Sequence, residues 1–272
     1  MSGRIGLIAG SGRLPLMFAA AAREQGLSVV AVAHRGETEP SLEEGVDSLT
    51  WVRVGQVNRI VAAFARAGVD RAVMAGGIGK VRALTEARPD LGALRILSRL
   101  RSLRDDALLR AVAAHFEGAG ITIVAPTDFL TRALAPAGPL AGPGLSSAQQ
   151  KDVALGLEVA RALGSVDVGQ TVVVRGGNVL ALEAVEGTDE AIRRGGHLGG
   201  AGAVVVKLCK PGQDPRFDLP AVGLGTLEVM REVSAKVLAV EAGRTILLDA
   251  EALFAAAGRL AISVVGVPRG SG

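Results

Sequence analysis

The chain contains no tyrosine, a single tryptophan (Trp51) and six phenylalanines, so aromatic residues make up only 3% of it. Binding single-stranded nucleic acid by stacking bases on aromatic rings needs more than that, and no nucleic-acid partner is expected. Cysteine occurs once, at Cys209. An intrachain disulfide is excluded, and a reducing compartment is the natural setting. The three histidines, His34, His115 and His197, are scattered, with no His-Glu-x-x-His or Cys/His spacing, which argues against a zinc site. No stretch reaches the roughly 18 consecutive apolar residues of a membrane span. Residues 5–22 have the apolar character of a signal peptide, but Gly10, Ser11, Gly12 and Pro15 interrupt them and Arg4 alone precedes them. They read instead as strand, tight turn and helix, which keeps the chain in the cytoplasm. The glycines follow no three-residue period, excluding collagen, and no repeat of 20–50 residues is present.

What is present is a globular composition: 272 residues, 49% hydrophobic and 21% charged, enough apolar surface to offset chain entropy. The net charge of +3 is unevenly placed. Residues 1–132 carry 17 basic and 13 acidic side chains, and residues 133–272 carry 13 and 14. The excess therefore lies in the first half, where Arg95, Arg99, Arg101 and Arg104 crowd together. They suit phosphate or an anionic membrane surface, or form a solvated helix face.

Apolar runs at 5–9, 27–33, 71–75 and 121–125 alternate with helical spacing at 14–25, 58–67, 91–103 and 106–117. That pattern predicts a Rossmann-like α/β domain over 1–132, its parallel sheet covered on both faces. Residues 133–146 hold three prolines, three glycines and no charge, as a linker would. Ser147 with Gln150 reads as a capping box opening a helix that ends near Gly164. Strands at 171–175 and 179–184 flank Gly176-Gly177-Asn178, a hairpin signal. Further strands at 203–208, 237–241, 245–249 and 262–267 alternate with helices at 188–194, 226–235 and 250–259. The fold class is α/β: a second domain, 147–272, with a mixed sheet, joined to the first by the Pro/Gly linker.

Three segments carry candidate chemistry. Gly10-Ser11-Gly12-Arg13-Leu14-Pro15 follows a strand and opens a helix. Its backbone amides suit an anion, or the glycines merely permit a tight turn. A dinucleotide fingerprint would have a third glycine at Pro15 and an acid after the second strand, where Ala33-His34-Arg35 stands. A second glycine turn, Gly76-Gly77-Ile78-Gly79-Lys80, lacks Walker spacing. The densest polar stretch is 207–220, with Lys207, Lys210, Gln213, Asp214, Arg216 and Asp218. Its cations suit phosphate and its carboxylates suit Mg²⁺, unless it is a charged loop of local ion pairs. Glu183, Glu186, Thr188 and Asp189 cluster where a strand gives way to a helix, as caps or as metal donors. Cys209 has no evident base and reads as a small buried residue on a strand. From residues alone, an NAD(P)-linked oxidoreductase and a non-catalytic sugar-nucleotide or lipid-binding module stay open beside a phosphate-processing enzyme.

Taken in order, 6–15, Asp105-Asp106-Ala107-Leu108-Leu109-Arg110, Gly169-Gln170, Glu186-Gly187-Thr188-Asp189, Lys207…Lys210-Pro211-Gly212-Gln213-Asp214…Arg216…Asp218-Leu219-Pro220…Gly223…Thr226 and Glu241-Ala242-Gly243-Arg244 make the chain resemble the LpxI family of UDP-2,3-diacylglucosamine diphosphatases. Ser11 departs from a glycine triplet frequent in that family. The resemblance implies two domains holding substrate between them. It implies hydrolysis of UDP-2,3-diacylglucosamine to UMP and 2,3-diacylglucosamine 1-phosphate, by water attack on the α-phosphate, in lipid A synthesis. Mg²⁺, or Mn²⁺ in its place, would be the cofactor, with Asp218, Asp214, Glu183 and Asp189 as its ligands. Asp218, Asp214, Lys207, Lys210 and Arg216 would be catalytic, Asp218 being the essential acid of the family's D-x-P motif. Gly10, Ser11, Gly12, Lys80, Gln170, Thr188, Gln213 and Thr226 would meet the substrate. The enzyme would sit peripherally on the cytoplasmic face of the inner membrane, with a homodimer compatible.

Overall fold

The computed structural model describes residues 3–79, 87–100, 105–166, 168–217 and 219–269. The chain divides into two units. One is Met1–Thr131 with Asp214–Asp218; the other is Arg132–Gln213 with Leu219–Gly272.

The first unit is built on β1 (Arg4–Ala9), β2 (Ser28–His34), β3 (Ser48–Val52), β4 (Arg71–Ala75) and β5 (Thr122–Val124), in the order β3-β2-β1-β4-β5. All pairs are parallel. Helices α1 (Leu14–Glu24), α2 (Val57–Ala67), α3 (Leu91–Arg99) and α4 (Asp105–Glu117) complete it. The sheet is buried on both faces, which is why β1 and β2 are continuous apolar runs. Phe64 of α2 and Phe116 of α4 bury completely against Ile121 and Ile123. β3 was not expected. Its sequence, SLTWV, alternates in exposure at the edge of the sheet and contains no apolar run. Ser48–Val52 still pairs along five residues of β2.

The second unit centres on a six-stranded mixed sheet. Its strands are β6 (Gly138–Ala141), β7 (Thr171–Arg175), β8 (Asn178–Leu182), β9 (Val204–Lys207), β11 (Val237–Glu241) and β13 (Ser263–Val267), in the order β6-β13-β11-β9-β7-β8. β9, β11 and β13 are parallel, while β6 and β7-β8 run antiparallel at the two sides. A small parallel pair joins β10 (Ala221–Val222) to β12 (Ile246–Leu247). Side chains alternate between two cores, as strand geometry requires. Val173, Val205 and Leu238 meet Ile192, Leu227 and Leu253, which belong to α6 (Thr188–Gly199), α7 (Leu224–Glu232) and α8 (Ala250–Leu260). Val172, Val174, Val204, Val206 and Val237 meet Val153 and Ala160 of α5 (Ser147–Ser165).

Two local readings need correction. Residues 133–146, expected as a linker, contain β6, an edge strand bonded to β13. Proline is tolerated at a sheet edge because no ladder bond is asked of its missing N–H. The capping box on α5 is Ser146 with Gln149, not Ser147 with Gln150: Ser146 Oγ accepts from Gln149 N at 3.3 Å, and Gln149 Oε1 from Ser146 N at 2.9 Å. The expected hairpin forms. Gly176 and Gly177 both have positive φ, as a type I′ turn demands, and buried Asp152 accepts from both their amides at 2.8 and 2.7 Å.

Candidate active site

The C-terminal ends of β9 and β11 lie at one edge of the second sheet. Register brings Lys207 beside Thr171 of β7 and Val240 of β11. Because β7 is antiparallel, its first residues meet the last of β9. Gln170, Thr171, Glu183, Lys207 and Glu241 thus gather from distant parts of the sequence. Lys207, Glu183 and Glu241 are buried there, at 7–8% exposure, and buried charges persist only where partners compensate them. Lys207 Nζ donates to the Ala221 carbonyl at 3.0 Å. Glu183 Oε1 accepts the Thr188 hydroxyl at 3.1 Å, and Oε2 the Gln170 amide N–H at 3.3 Å. Glu241 accepts the Cys209 amide at 3.0 Å. Gln213 Oε1 ties the next turn, accepting from Lys210 N at 3.1 Å and from the Cys209 thiol at 3.2 Å. Cys209 is buried, one residue past the strand's following residue Leu208.

A pocket of about 340 Å³ opens beside this network, lined by Glu186, Gly187, Thr188, Asp189, Lys207, Ala221 and Thr226. Two helices begin at its wall. α6 starts at Thr188 after Gly187, whose φ of 85° needs glycine, and α7 begins at Leu224, two residues before Thr226. Helix N-termini present amide hydrogens and partial positive charge. With the Lys207 ammonium between them, the pocket is suited to phosphate oxygens. The charge of Glu186 is offset by its ion pair with Arg194; its own backbone amide and that guanidinium hold its carboxyl below the usual carboxylate range. Among the described residues, one polar atom at this edge is sealed without a partner: Gln170 Oε1.

The polar stretch 207–220 is shared between the two units. Lys207, Lys210 and Gln213 belong to the second unit, whereas Asp214 and Arg216 belong to the first. Arg216 forks onto Asp214, Nη2 to Oδ2 at 2.9 Å and Nε to Oδ1 at 3.1 Å, and reaches Glu117 of α4 at 3.0 Å. The guanidinium holds the Asp214 carboxyl below its ordinary range. Phe217 packs on the first unit's core, and the Arg216 guanidinium covers its ring. Within this segment the acid and the cation are paired with each other. Asp218 and Lys80 lie outside the described residues.

The glycine turns of the first unit sit side by side at the C-terminal ends of β1 and β4. Gly10 N donates to Ala75 O and Ser11 N to Gly77 O, both at 2.8 Å, and Ser11 Oγ donates to Gly77 O at 3.0 Å. A Cβ on Gly10 would overlap the Gly77 carbonyl, and one on Gly76 the Ser11 carbonyl. Glycine is required here by the contact of two backbones. The Gly10 and Ser11 amides are engaged by carbonyls, while Gly12, with φ of 83°, faces open space.

Among the described residues, no three His, Cys, Asp or Glu side chains gather as metal donors. The Asp214 carboxylate accepts from Arg216, and Glu183 from the Thr188 hydroxyl and the Gln170 backbone amide. Asp189 alone of the described candidate ligands lines the pocket. One carboxylate beside a phosphate pocket fits Mg²⁺ as that ion is often held, by one or two carboxylates plus phosphate oxygens and water. Glu241, read in the sequence only as part of the Glu241-Ala242-Gly243-Arg244 motif, reaches the Cys209 amide once β11 lies beside β9.

Family models match both parts of the chain: the LpxI N-terminal domain over residues 4–133 and the LpxI C-terminal domain over residues 136–265. The chain is 34% identical over 277 residues to the UDP-2,3-diacylglucosamine pyrophosphatase LpxI of Caulobacter vibrioides, covering 97% of each protein. Among solved structures it matches the biotin carboxylase domain of a thermophilic 2-oxoglutarate carboxylase at 15% identity and TM-score 0.30, over 64% of this chain and 35% of that one. The biotin carboxylase subunit of pyruvate carboxylase gives 16% and 0.27, over 73% and 42%. Likenesses this weak carry no argument.

Proposed function

The chain belongs to the LpxI family, and on that premise we propose that it hydrolyses UDP-2,3-diacylglucosamine to UMP and 2,3-diacylglucosamine 1-phosphate, a step of lipid A synthesis. The observation that carries this reading is the second unit's pocket, where buried Lys207 stands beside the starts of α6 and α7. A diphosphate repels an incoming nucleophile by its own charge. A fixed cation and oriented amides lower that cost and stabilise the charge that builds as the anhydride bond breaks.

In this mechanism, water oxygen bonds to the α-phosphorus while the bond from that phosphorus to the bridging oxygen breaks. The sugar 1-phosphate leaves with the bridging oxygen, and the proton lost by water passes to solvent or to a carboxylate. Lys207 binds phosphate oxygen. Thr188, held by Glu183, and Thr226 at the first turn of α7 orient the diphosphate. Among the described residues Gln170 Oε1 is sealed and unpartnered, an acceptor that an ordered water would satisfy. Asp189 and, as the family resemblance implies, Asp218 would hold Mg²⁺, which when bound would neutralise phosphate charge. Mn²⁺ would serve in its place. Asp218 also orients the attacking water. Lys210 adds long-range positive charge.

The substrate's acyl chains belong in a membrane, so the enzyme works peripherally at the cytoplasmic face of the inner membrane. The basic excess of residues 1–132 supports this. No helix among the described residues is long and apolar enough to cross a membrane. Turnover in ¹⁸O-labelled water tests the chemistry. The label is expected in UMP; label in the sugar phosphate overturns attack at the α-phosphate. Asp218→Ala is expected to lose UMP release with its melting curve intact, and ordinary turnover by that variant would remove Asp218 from the mechanism.

A further inference from the structure

The arginines that crowd together in the first half, Arg95, Arg99, Arg101 and Arg104, play no part in the proposed chemistry. They belong to the stretch 91–104, LGALRILSRLRSLR, which holds no acid and repeats leucine at every third position from Leu91 to Leu103. Its first nine residues are α3, and residues 101–104 lie outside the described residues.

α3 is fixed by its inner face. Ala93 and Ile96 are buried in the core with Val57 and Ile60 of α2. Gly92 approaches α2 so closely that a Cβ there would overlap the Asn58 side chain. Asp90, the acid next to the helix, is turned to the two helix starts: Oδ1 accepts from Ala93 N at 3.0 Å and Oδ2 from Asn58 N at 2.7 Å. The leucines are left outside, Leu91 at 77% exposure, Leu94 at 49% and Leu97 at 44%. Leu91, Leu94, Arg95 and Ser98 are spaced i, i+3, i+4 and i+7, one face of a helix, and Arg95 and Ser98 are exposed with the leucines. Arg88, just before the helix, is exposed too. Neither α3 nor its neighbour α2 contains an acid, and α2 adds the exposed Arg59 and Arg66.

Single exposed leucines are ordinary, but a leucine row set among charges of one sign has a matching surface. On an anionic bilayer, apolar side chains enter the acyl boundary while guanidinium groups stay at the lipid phosphates. A helix of nine residues is far short of a span, so it lies along the surface. A second copy fits worse, because a two-fold contact would set this basic face against itself.

We propose that α3 is the membrane-docking element of this protein, with Leu91, Leu94 and Leu97 entering the lipid boundary and Arg88 and Arg95 meeting the phosphates of anionic phospholipid. This rests on the peripheral placement proposed above and names the element that makes the contact.

The test is co-sedimentation of the full chain with vesicles, in the absence of substrate. The native protein is expected to bind vesicles of phosphatidylethanolamine mixed with phosphatidylglycerol, and to bind phosphatidylcholine vesicles only weakly. The double variant Leu91→Gln, Leu94→Gln is expected to bind the anionic vesicles about tenfold more weakly. Arg95→Gln is expected to bind them roughly 3–5-fold more weakly, a loss that shrinks as salt is raised. Melting curves should match the native one, since these side chains are exposed. Turnover of UDP-2,3-diacylglucosamine in neutral detergent micelles is measured in parallel and is expected to be unchanged. Anionic-vesicle binding by the double variant equal to that of the native protein overturns the docking face and leaves the peripheral reading standing. A native protein that binds neither kind of vesicle overturns both, and its turnover in micelles then decides the hydrolase reading separately. A native dimer that the double variant breaks, with vesicle binding unchanged, gives the face to a second copy and overturns the proposal as well.

Discussion

Both units place a set of turns at the C-terminal edge of a sheet, but they build those edges from different material. The first uses backbone: Gly10 and Ser11 donate to the carbonyls of Ala75 and Gly77, and glycine is there because two chains touch. The second uses buried charge: Lys207, Glu183 and Glu241 are held by Ala221 O, Thr188, Gln170 and the Cys209 amide. A backbone edge costs little and needs no function to explain it. A buried ammonium costs several kcal/mol in desolvation and is a poor source of stability. Its retention therefore points to chemistry, and the two edges should respond to mutation in opposite ways.

Lys207→Met gives the largest activity effect. Removing a pre-oriented cation should lower kcat/KM for the diphosphate by about 10²–10³, read by an activity assay with a thermal melt on the same preparation to show that the variant is folded. Gly10→Ala reverses the pattern. Its Cβ has no room against the Gly77 carbonyl, so a loss of about 1–3 kcal/mol in denaturant unfolding is expected. If Gly10→Ala were as stable as the native protein, the account of that turn would be wrong. Glu183→Gln should fall between them. It keeps an acceptor for Thr188 but drops the charge, and about a tenfold fall in kcat with little change in fold is expected. Smaller still is the acid response of His34. Its folded pKa is lowered by burial. Below about pH 6.5, the ordinary histidine value, the unfolded chain takes up a proton that the folded ring refuses. Stability present above that pH is then lost as pH falls through the lowered value. Melts across this range should show the native protein losing more than His34→Gln; parallel curves would contradict the burial account.

Much of the fold is legible where one physical signal dominates. β4 and β11 are read from the runs 71–75 and 237–241, because strands buried on both faces carry apolar residues between their ends. α6 runs to Gly199 rather than ending at Arg194. Gly195, Gly196 and Gly199 look like helix breakers, yet they are the points where the helix meets Val173, Val233 and Leu180 too closely for a side chain. β6 was hidden by its prolines and glycines. The candidate site divides in the same way. Glu183, Thr188 and Lys207 were readable because they are local clusters of polar residues beside strand ends. The local pair of Asp214 with Arg216 was among the open readings, whereas the reach of Arg216 to Glu117, 99 residues away, was not readable.

The measurement that bears most directly on the central claim is UMP release from UDP-2,3-diacylglucosamine by Lys207→Met, with Mg²⁺ present and the melting curve recorded on the same sample. The account predicts a fall of about 100-fold or more in kcat/KM with the fold intact. Turnover equal to that of the native protein would contradict it and move the diphosphate away from the second unit's pocket.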